Sequence, residues 1–342
     1  MTDTSSLPAI SIVGAGAIGT ALGNVLARKK MYDINLLSIE QSVVDAINNT
    51  RFNEKYIPNI KLSKNLKATK DPEILKNSSV IFLAIPSDVV YDYLSEIKPF
   101  INNHSIIVNL AKGFSNNKKT IIECIRENFN NPVCSFKGPS FATDLINKAP
   151  TAFTLGSINE EHFTLFLKLF KDTNVYLDYT SDLRGVEILS ILKNIYAIAA
   201  GIIDAQHNSP NLRYLFLTRA FNEIKELMKL YGCSIETMFN YCGYGDFSLT
   251  AHNDLSRNRT LGLLIGKGFF VKNISEKVTL EGKNAVSIIF EQIGNDKVIK
   301  NKLQIISELH KVFNNNYNIK SFFEKTILRQ ELPEDLAFLK KS

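Results

Sequence analysis

The segment AISIVGAGAIGTALGNVLARKK, residues 9–30, constrains the fold more than any other stretch. ISIV is a short apolar run with β-branched residues, which suits a strand buried on both faces of a parallel sheet. Gly14, Gly16 and Gly19 follow as G-x-G-x-x-G, and Ile18, Ala21, Leu22, Val25 and Leu26 recur at helical spacing. Each glycine has a physical use. Gly14 permits the tight turn, Gly16 lets the backbone approach a pyrophosphate, and Gly19 lets the helix pack against the strand, with the helix N-terminus facing the phosphates. The motif alone is weak, but a strand before it and a helix after it are the required context. Arg28, Lys29 and Lys30 end the helix where cations suit its dipole.

The strand–helix alternation continues. INLLSIE (34–40) reads as the second strand, and Glu40 is the candidate acid for the ribose hydroxyls of a bound dinucleotide. Ser38 occupies an alternative tip position, and Glu40 reads equally as an exposed carboxylate at a helix start. SVIFLAIPS (79–87) is a buried strand ending at Pro86, and SIIVNLAKGF (105–114) is another that delivers Lys112 at its carboxyl end. Ligands of open α/β sheets bind beyond those ends. CSFKGPSFATDL (134–145) gives a strand, a Gly138-Pro139 turn and a helix expected to start at Ser140.

From about residue 182 the pattern turns helical. DLRGVEILSILKNIYAIAAGIIDA (182–205) reads as one apolar helix in which Glu187, Ser190 and Asn194 form a polar stripe, as expected if it faces a cleft. Lys193 lies at the edge of that stripe. It either snorkels to water or is a buried lysine that is paired or used. NLRYLFLTRAFNEIKELMKLYGCS (211–234) is a second long helix, YGDFSLT (244–250) reads as a glycine-rich turn carrying Asp246, and Ser256, Arg257 and Asn258 open a further helix. A serine, an arginine fork and an amide at a helix N-terminus suit a phosphate, and equally describe an ordinary cap.

Together these patterns predict an α/β fold: a Rossmann-like, doubly wound, mostly parallel sheet over residues 1–180, followed by an all-helical domain over 181–342 that binds substrate. A chain of 342 residues is long enough for two such domains. The mild charge of +6 comes partly from RKK (28–30) and KLSKNLKATK (61–70). These runs lack the aromatic interleaving of a nucleic-acid groove, so no nucleic-acid partner is expected, although the field suits an anionic small molecule. Cys124, Cys134, Cys233 and Cys242 form neither a CxxC pair nor a ligand cluster with histidine, so no metal is expected. The polar start MTDTSSLP and the absence of an evident membrane span give a cytoplasmic expectation.

The motifs GAGAIGTAL, NEKYIPNIKLSKNLKAT, FLAIPS, AKGF, KGPSFA, GVEILSILKNIYAIAAGIIDA, LTRAFNEI, YGDFSLT and SRNRTLG, in this order over nearly the whole chain, resemble the bacterial-type NAD(P)-dependent glycerol-3-phosphate dehydrogenases. The resemblance implies interconversion of sn-glycerol 3-phosphate and dihydroxyacetone phosphate, which supplies the backbone of phospholipids. It implies Lys193 as the base for the C2 hydroxyl, with Lys112, Asp246 and Thr250 completing the polar centre. Gly138, Ser140, Asn194, Ser256, Arg257 and Asn258 would hold substrate with Lys112 and Lys193. Ala17, Ile18, Pro86, Lys112, Ala142, Arg257 and Glu281 would contact the cofactor beside Gly14, Gly16, Gly19 and Glu40.

The chain departs from the family at a few positions. Ile39 stands where the family often has an arginine suited to the 2′-phosphate of NADP, Ser190 replaces a usual glycine, and Asp204-Ala205 replaces Asp-Gly. With no arginine beside Glu40, NADH is expected to serve at least as well as NADPH, unless Lys29, Lys30 or Arg51 folds back toward the adenosine end. A related dehydrogenase for a hydroxy acid or sugar acid, and a non-catalytic nucleotide-binding sensor, are the alternative readings. A homodimer is compatible with the sequence, which does not fix the oligomeric state.

Overall fold

In a computed structural model, residues 8–269, 281–294, 296–314 and 317–328 are described. Eight strands form one sheet: β1 (Ala9–Val13), β2 (Asp33–Leu37), β3 (Leu66–Thr69), β4 (Ser78–Leu83), β5 (Ile106–Asn109), β6 (Val133–Lys137), β7 (Thr151–Gly156) and β8 (Val175–Thr180). Their order is β3-β2-β1-β4-β5-β6-β7-β8, and every pairing is parallel except the antiparallel β6–β7. The chain therefore winds outward from β1 in one direction and from β4 in the other. The switch point of a doubly wound sheet falls between these two strands.

Strand alternation sorts the core onto two faces. Ile10, Ile12, Leu36, Val80, Phe82 and Val108 point to one face, where they meet Ala21, Leu22, Val25 and Leu26 of the helix Ala17–Arg28. Val13, Leu37, Ile81, Leu83 and Ile107 point to the other, against the helices Val90–Ile97 and Ile121–Asn128. The near-continuous apolar strands of the sequence are thus explained by burial on both sides. Phe136 anchors the far half of the first face, stacked on Phe153 with ring centroids 4.3 Å apart and on Phe170 at 5.4 Å.

Past Thr180 the described residues contain no strand. The helix Leu183–Gln206 is long and apolar enough to cross a membrane by length and composition, and the whole of its most apolar 18-residue stretch is buried inside the protein. A helix buried on all its faces belongs in a core, and the polar groups it carries there need partners. The chain divides into two compact units, residues 1–191 with 231–247, and residues 192–230 with 248–342. This division differs from one at 180/181. The start of the long helix and the segment through Asp246 fold with the sheet, because Asp178 and Asp182 bind residues 234–241 and the Thr154 hydroxyl accepts from the Cys242 amide.

Three local expectations are corrected. The helix after the Gly138-Pro139 turn is Ala142–Ile146, with Phe141 as its cap, so Ser140 lies before it. Residues 244–250 are not a turn: a wide helical turn, Tyr241–Gly245, runs directly into the helix Asp246–His252. Glu187 does not face a cleft but is buried against the sheet.

Candidate active site

The first unit builds the glycine turn as the sequence requires. Gly14 adopts φ +107°, and a Cβ there would lie 2.5 Å from the Ala84 carbonyl oxygen. Its amide donates to Leu37 O at 2.8 Å, and Ala84 N donates to Val13 O at 2.8 Å, so the turn is clamped between the ends of β2 and β4. A Cβ on Gly19 would meet Gly14 O at 2.1 Å, which is the close helix–strand approach expected of the third glycine. Gly16 is different. A Cβ on it would meet nothing within 4 Å, and as the helix N-cap it offers no side chain to the first-turn amides of Ala17 and Ile18. Open space over the first-turn amide donors of a helix fits a pyrophosphate. Pro86 lies in the turn that follows β4, and Ala142 opens the helix after β6.

Beyond the end of β5, Lys112 Nζ donates to Asp246 Oδ2 at 2.8 Å and to Gly138 O at 2.9 Å. Ser140 Oγ donates to the same carbonyl at 2.9 Å. The structure thus gathers Lys112, Gly138, Ser140 and Asp246 in one place. Asp246 is buried, while Lys112 keeps 22% of its side chain exposed.

Beneath this cluster lies a network that the sequence reading missed. Lys137 Nζ donates to Asn109 O at 3.0 Å and to Ala111 O at 2.6 Å, and pairs with Glu187 Oε1 at 3.1 Å. Glu187 also accepts from Asn109 Nδ2 at 2.9 Å and Ser135 Oγ at 2.5 Å. The Asn109 Oδ1 atom accepts from Ala111 N at 2.9 Å. Together these bonds fix the backbone that presents Lys112. The available signal was a lysine inside the buried strand CSFK and a glutamate inside an apolar helix, two charges that need each other.

The second unit holds the remaining candidates. Lys193 is only 7% exposed, so it does not snorkel. Its Nζ donates to the hydroxyl of buried Thr250 at 3.0 Å. The next residue of the same helix is Asn194, whose Nδ2 approaches Glu281 Oε2 at 3.4 Å. A Cβ on Gly282 would lie 2.8 Å from both Asn194 O and Asn258 Oδ1, so these three residues share a crowded corner. Asn258 Oδ1 is buried without a hydrogen-bond partner, an orphan of the kind that a bound polar group relieves.

Ser256 caps the helix Arg257–Gly266 by accepting from Arg259 N, and its hydroxyl proton remains available to donate. Arg257, at the first helical position, is exposed. Two residues on, and on the opposite face of the helix, Arg259 was missed. It is buried and binds Asp204 Oδ2 at 2.6 Å, Asp254 Oδ1 at 3.0 Å and Ala251 O at 3.0 Å. That tripod locks the cap, and the signal for it was the second arginine in SRNR.

At the end of β2, Glu40 is no free carboxylate. The Lys55 ammonium and the Tyr56 hydroxyl both bind it, and the Lys55 bond holds its carboxyl below the ordinary range. The strand end lacks an arginine but does not lack a cation. Lys29, a possible source of charge for the adenosine end, is committed elsewhere, to the carbonyls of Lys168 and Lys171. Among the described residues no group of three or more His, Cys, Asp or Glu side chains could hold a metal.

The profile of the NAD-dependent glycerol-3-phosphate dehydrogenase N-terminus matches residues 9–163, and that of the C-terminus matches residues 182–324. A glycerol-3-phosphate dehydrogenase (NAD(P)+) of Clostridium botulinum is 34% identical over 330 residues, 95% of this chain and 98% of its own. One of Methanothermobacter thermautotrophicus is 34% identical over 82% of this chain and 87% of its own. The crystal structure of glycerol-3-phosphate dehydrogenase from Coxiella burnetii superposes with a TM-score of 0.85 at 28% identity, covering 94% of this chain and 99% of the other.

Proposed function

Because the chain belongs to the NAD-dependent glycerol-3-phosphate dehydrogenase family and is an oxidoreductase interconverting sn-glycerol 3-phosphate and dihydroxyacetone phosphate with NAD(P), we propose specific roles for its residues. When bound, the nicotinamide cofactor supplies the acceptor or donor of the hydride at substrate C2. Gly16, Ala17 and Ile18 of the glycine turn would hold its pyrophosphate through their backbone amides. The sheet domain is the dinucleotide-binding part and the helical remainder the substrate-binding part.

Lys193 is the acid–base residue. In oxidation its neutral amine takes the proton of the C2 hydroxyl as the hydride departs. In reduction the ammonium returns that proton to the forming alkoxide. The observation that carries this role is the burial of Lys193 on a long core helix, with its Nζ donating to the hydroxyl of buried Thr250. Thr250 accepts from the ammonium and so aims its remaining protons. Lys112, held by Asp246 and Gly138 O, stabilises negative charge developing on the substrate oxygen. Gly138, Ser140 and Asn194 line the substrate. Ser256, Arg257 and Asn258 hold its phosphate through a hydroxyl, a guanidinium and the helix N-terminus. Ala142 and Glu281 would contact the cofactor.

The reaction furnishes the glycerol phosphate that phospholipid synthesis consumes. A cytoplasmic setting is supported by four cysteines that are all unbridged and buried. The experiment is a steady-state assay of dihydroxyacetone phosphate reduction followed by cofactor absorbance. A hydroxy acid or sugar acid turned over faster would replace the proposed substrate, and binding of NADH without turnover would leave a sensor.

A further inference from the structure

The ion pair at the end of β2 has no part in the roles above. Lys55 and Tyr56 both reach Glu40 from a loop that is closed by Leu62 N donating to Arg51 O at 2.8 Å and by a bridge between Asn53 and Ile57. Buried Asn53 fastens that loop to the glycine turn, donating from Nδ2 to Ala15 O and to Thr20 Oγ1 at 2.8 Å each. With Gly14 N bound to Leu37 O, the turn, the strand end and the cation-bearing loop form one connected piece. A dinucleotide seated on the turn extends its adenosine ribose toward the end of the second strand. Both a carboxylate and an ammonium stand there.

We propose that Lys55 is the cation that receives the 2′-phosphate of NADP(H), and that Glu40 holds it at the strand end while also serving the ribose hydroxyls of NAD(H). The proposal rests on the reading of the sheet domain as the dinucleotide site. An ammonium has three donors, so Lys55 can bridge Glu40 and a phosphate oxygen at once, and a carboxylate has lone pairs enough to keep Lys55 while accepting a ribose hydroxyl. The Lys55 side chain is 58% exposed, so swinging toward a phosphate requires little desolvation. Facing Glu40 alone, a 2′-phosphate would meet repulsion. The pair thus lets a strand end without arginine accept either cofactor.

The test is calorimetric titration of the full-length protein with NADH, NADPH, 5′-ADP and 2′,5′-ADP. In Lys55→Met the affinity for NADPH and 2′,5′-ADP should fall about tenfold, the low end for a charge-assisted hydrogen bond, while NADH and 5′-ADP stay within about twofold. Lys55→Arg should restore NADPH binding. Glu40→Gln should weaken NADH by the lost ribose acceptor, and weaken NADPH less than Lys55→Met does, since the amide can still accept from Lys55. Equal losses for both cofactors in Lys55→Met would make the pair a mere loop staple and overturn the proposal, as would unchanged NADPH affinity. If the wild-type protein bound none of the four ligands, the dinucleotide reading itself would fall, and this proposal with it.

Discussion

Lys137 Nζ stands 3.1 Å from Glu187 Oε1, and neither side chain is more than 1% exposed. A charge pair this deep is held by its hydrogen bonds more than by its Coulomb attraction, since both ions lose their water. Here the lysine also satisfies the carbonyls of Asn109 and Ala111, and the carboxylate is satisfied by Asn109 and Ser135. The pair therefore ties β5, β6 and the start of the long helix together under Lys112.

Removing one partner leaves the other charge stranded. Lys137→Met should destabilise the protein by about 3–5 kcal/mol, the usual cost of breaking a buried pair. Adding Glu187→Gln should recover part of that loss, because an amide is cheaper to bury than an unpaired carboxylate. Urea denaturation of the three proteins checks this. A single variant as stable as wild type would show that the buried pair contributes nothing to stability.

Arg257→Ala should act on substrate more than on cofactor. A charge-assisted hydrogen bond contributes about 1.5–3 kcal/mol, so the KM for dihydroxyacetone phosphate should rise roughly ten- to hundredfold. Arg259, committed to Asp204 and Asp254, keeps the helix start in place when Arg257 is cut back. An unchanged KM would remove Arg257 from the phosphate site.

What the sequence disclosed was local or periodic. The glycine turn was legible because backbone geometry at Gly14 and Gly19 depends on neighbours close in the chain and on a strand and helix with clear periods. The long helix was legible because its apolar residues run nearly without a break from Ile195 to Ile203. Lys137 and Glu187 are fifty residues apart, and nothing in either segment names the other, so the glutamate was assigned to an open stripe. Lys55 reaches Glu40 across a loop with no period at all. For that reason the charge at the strand end was read as a lone carboxylate, and the cofactor expectation drawn from it lacked its counter-ion.

The thiols give a pH-dependent expectation. Burial pushes Cys134, Cys233 and Cys242 each up to about 12. Below the ordinary thiol range, near 8.5, both folded and unfolded chains keep these protons. Between there and about 12 only the folded chain does, so stability should fall as pH rises through that window. At pH 8 the native thiols should resist iodoacetamide and react once unfolded in urea. Mass spectrometry reads both states, and fast native labelling of Cys134 or Cys242 would contradict the burial.

The central claim is that Lys193 moves the proton at substrate C2. The direct measurement is the reduction rate of dihydroxyacetone phosphate by wild type and Lys193→Met, with NADH and NADPH in parallel and cofactor affinity measured separately. The account predicts turnover by wild type with both cofactors, and a loss of at least about 10²-fold in kcat for the variant, the scale of general acid–base catalysis. Cofactor affinity should be unchanged, because the glycine turn is untouched. A Lys193→Met enzyme turning over at close to the wild-type rate would contradict it.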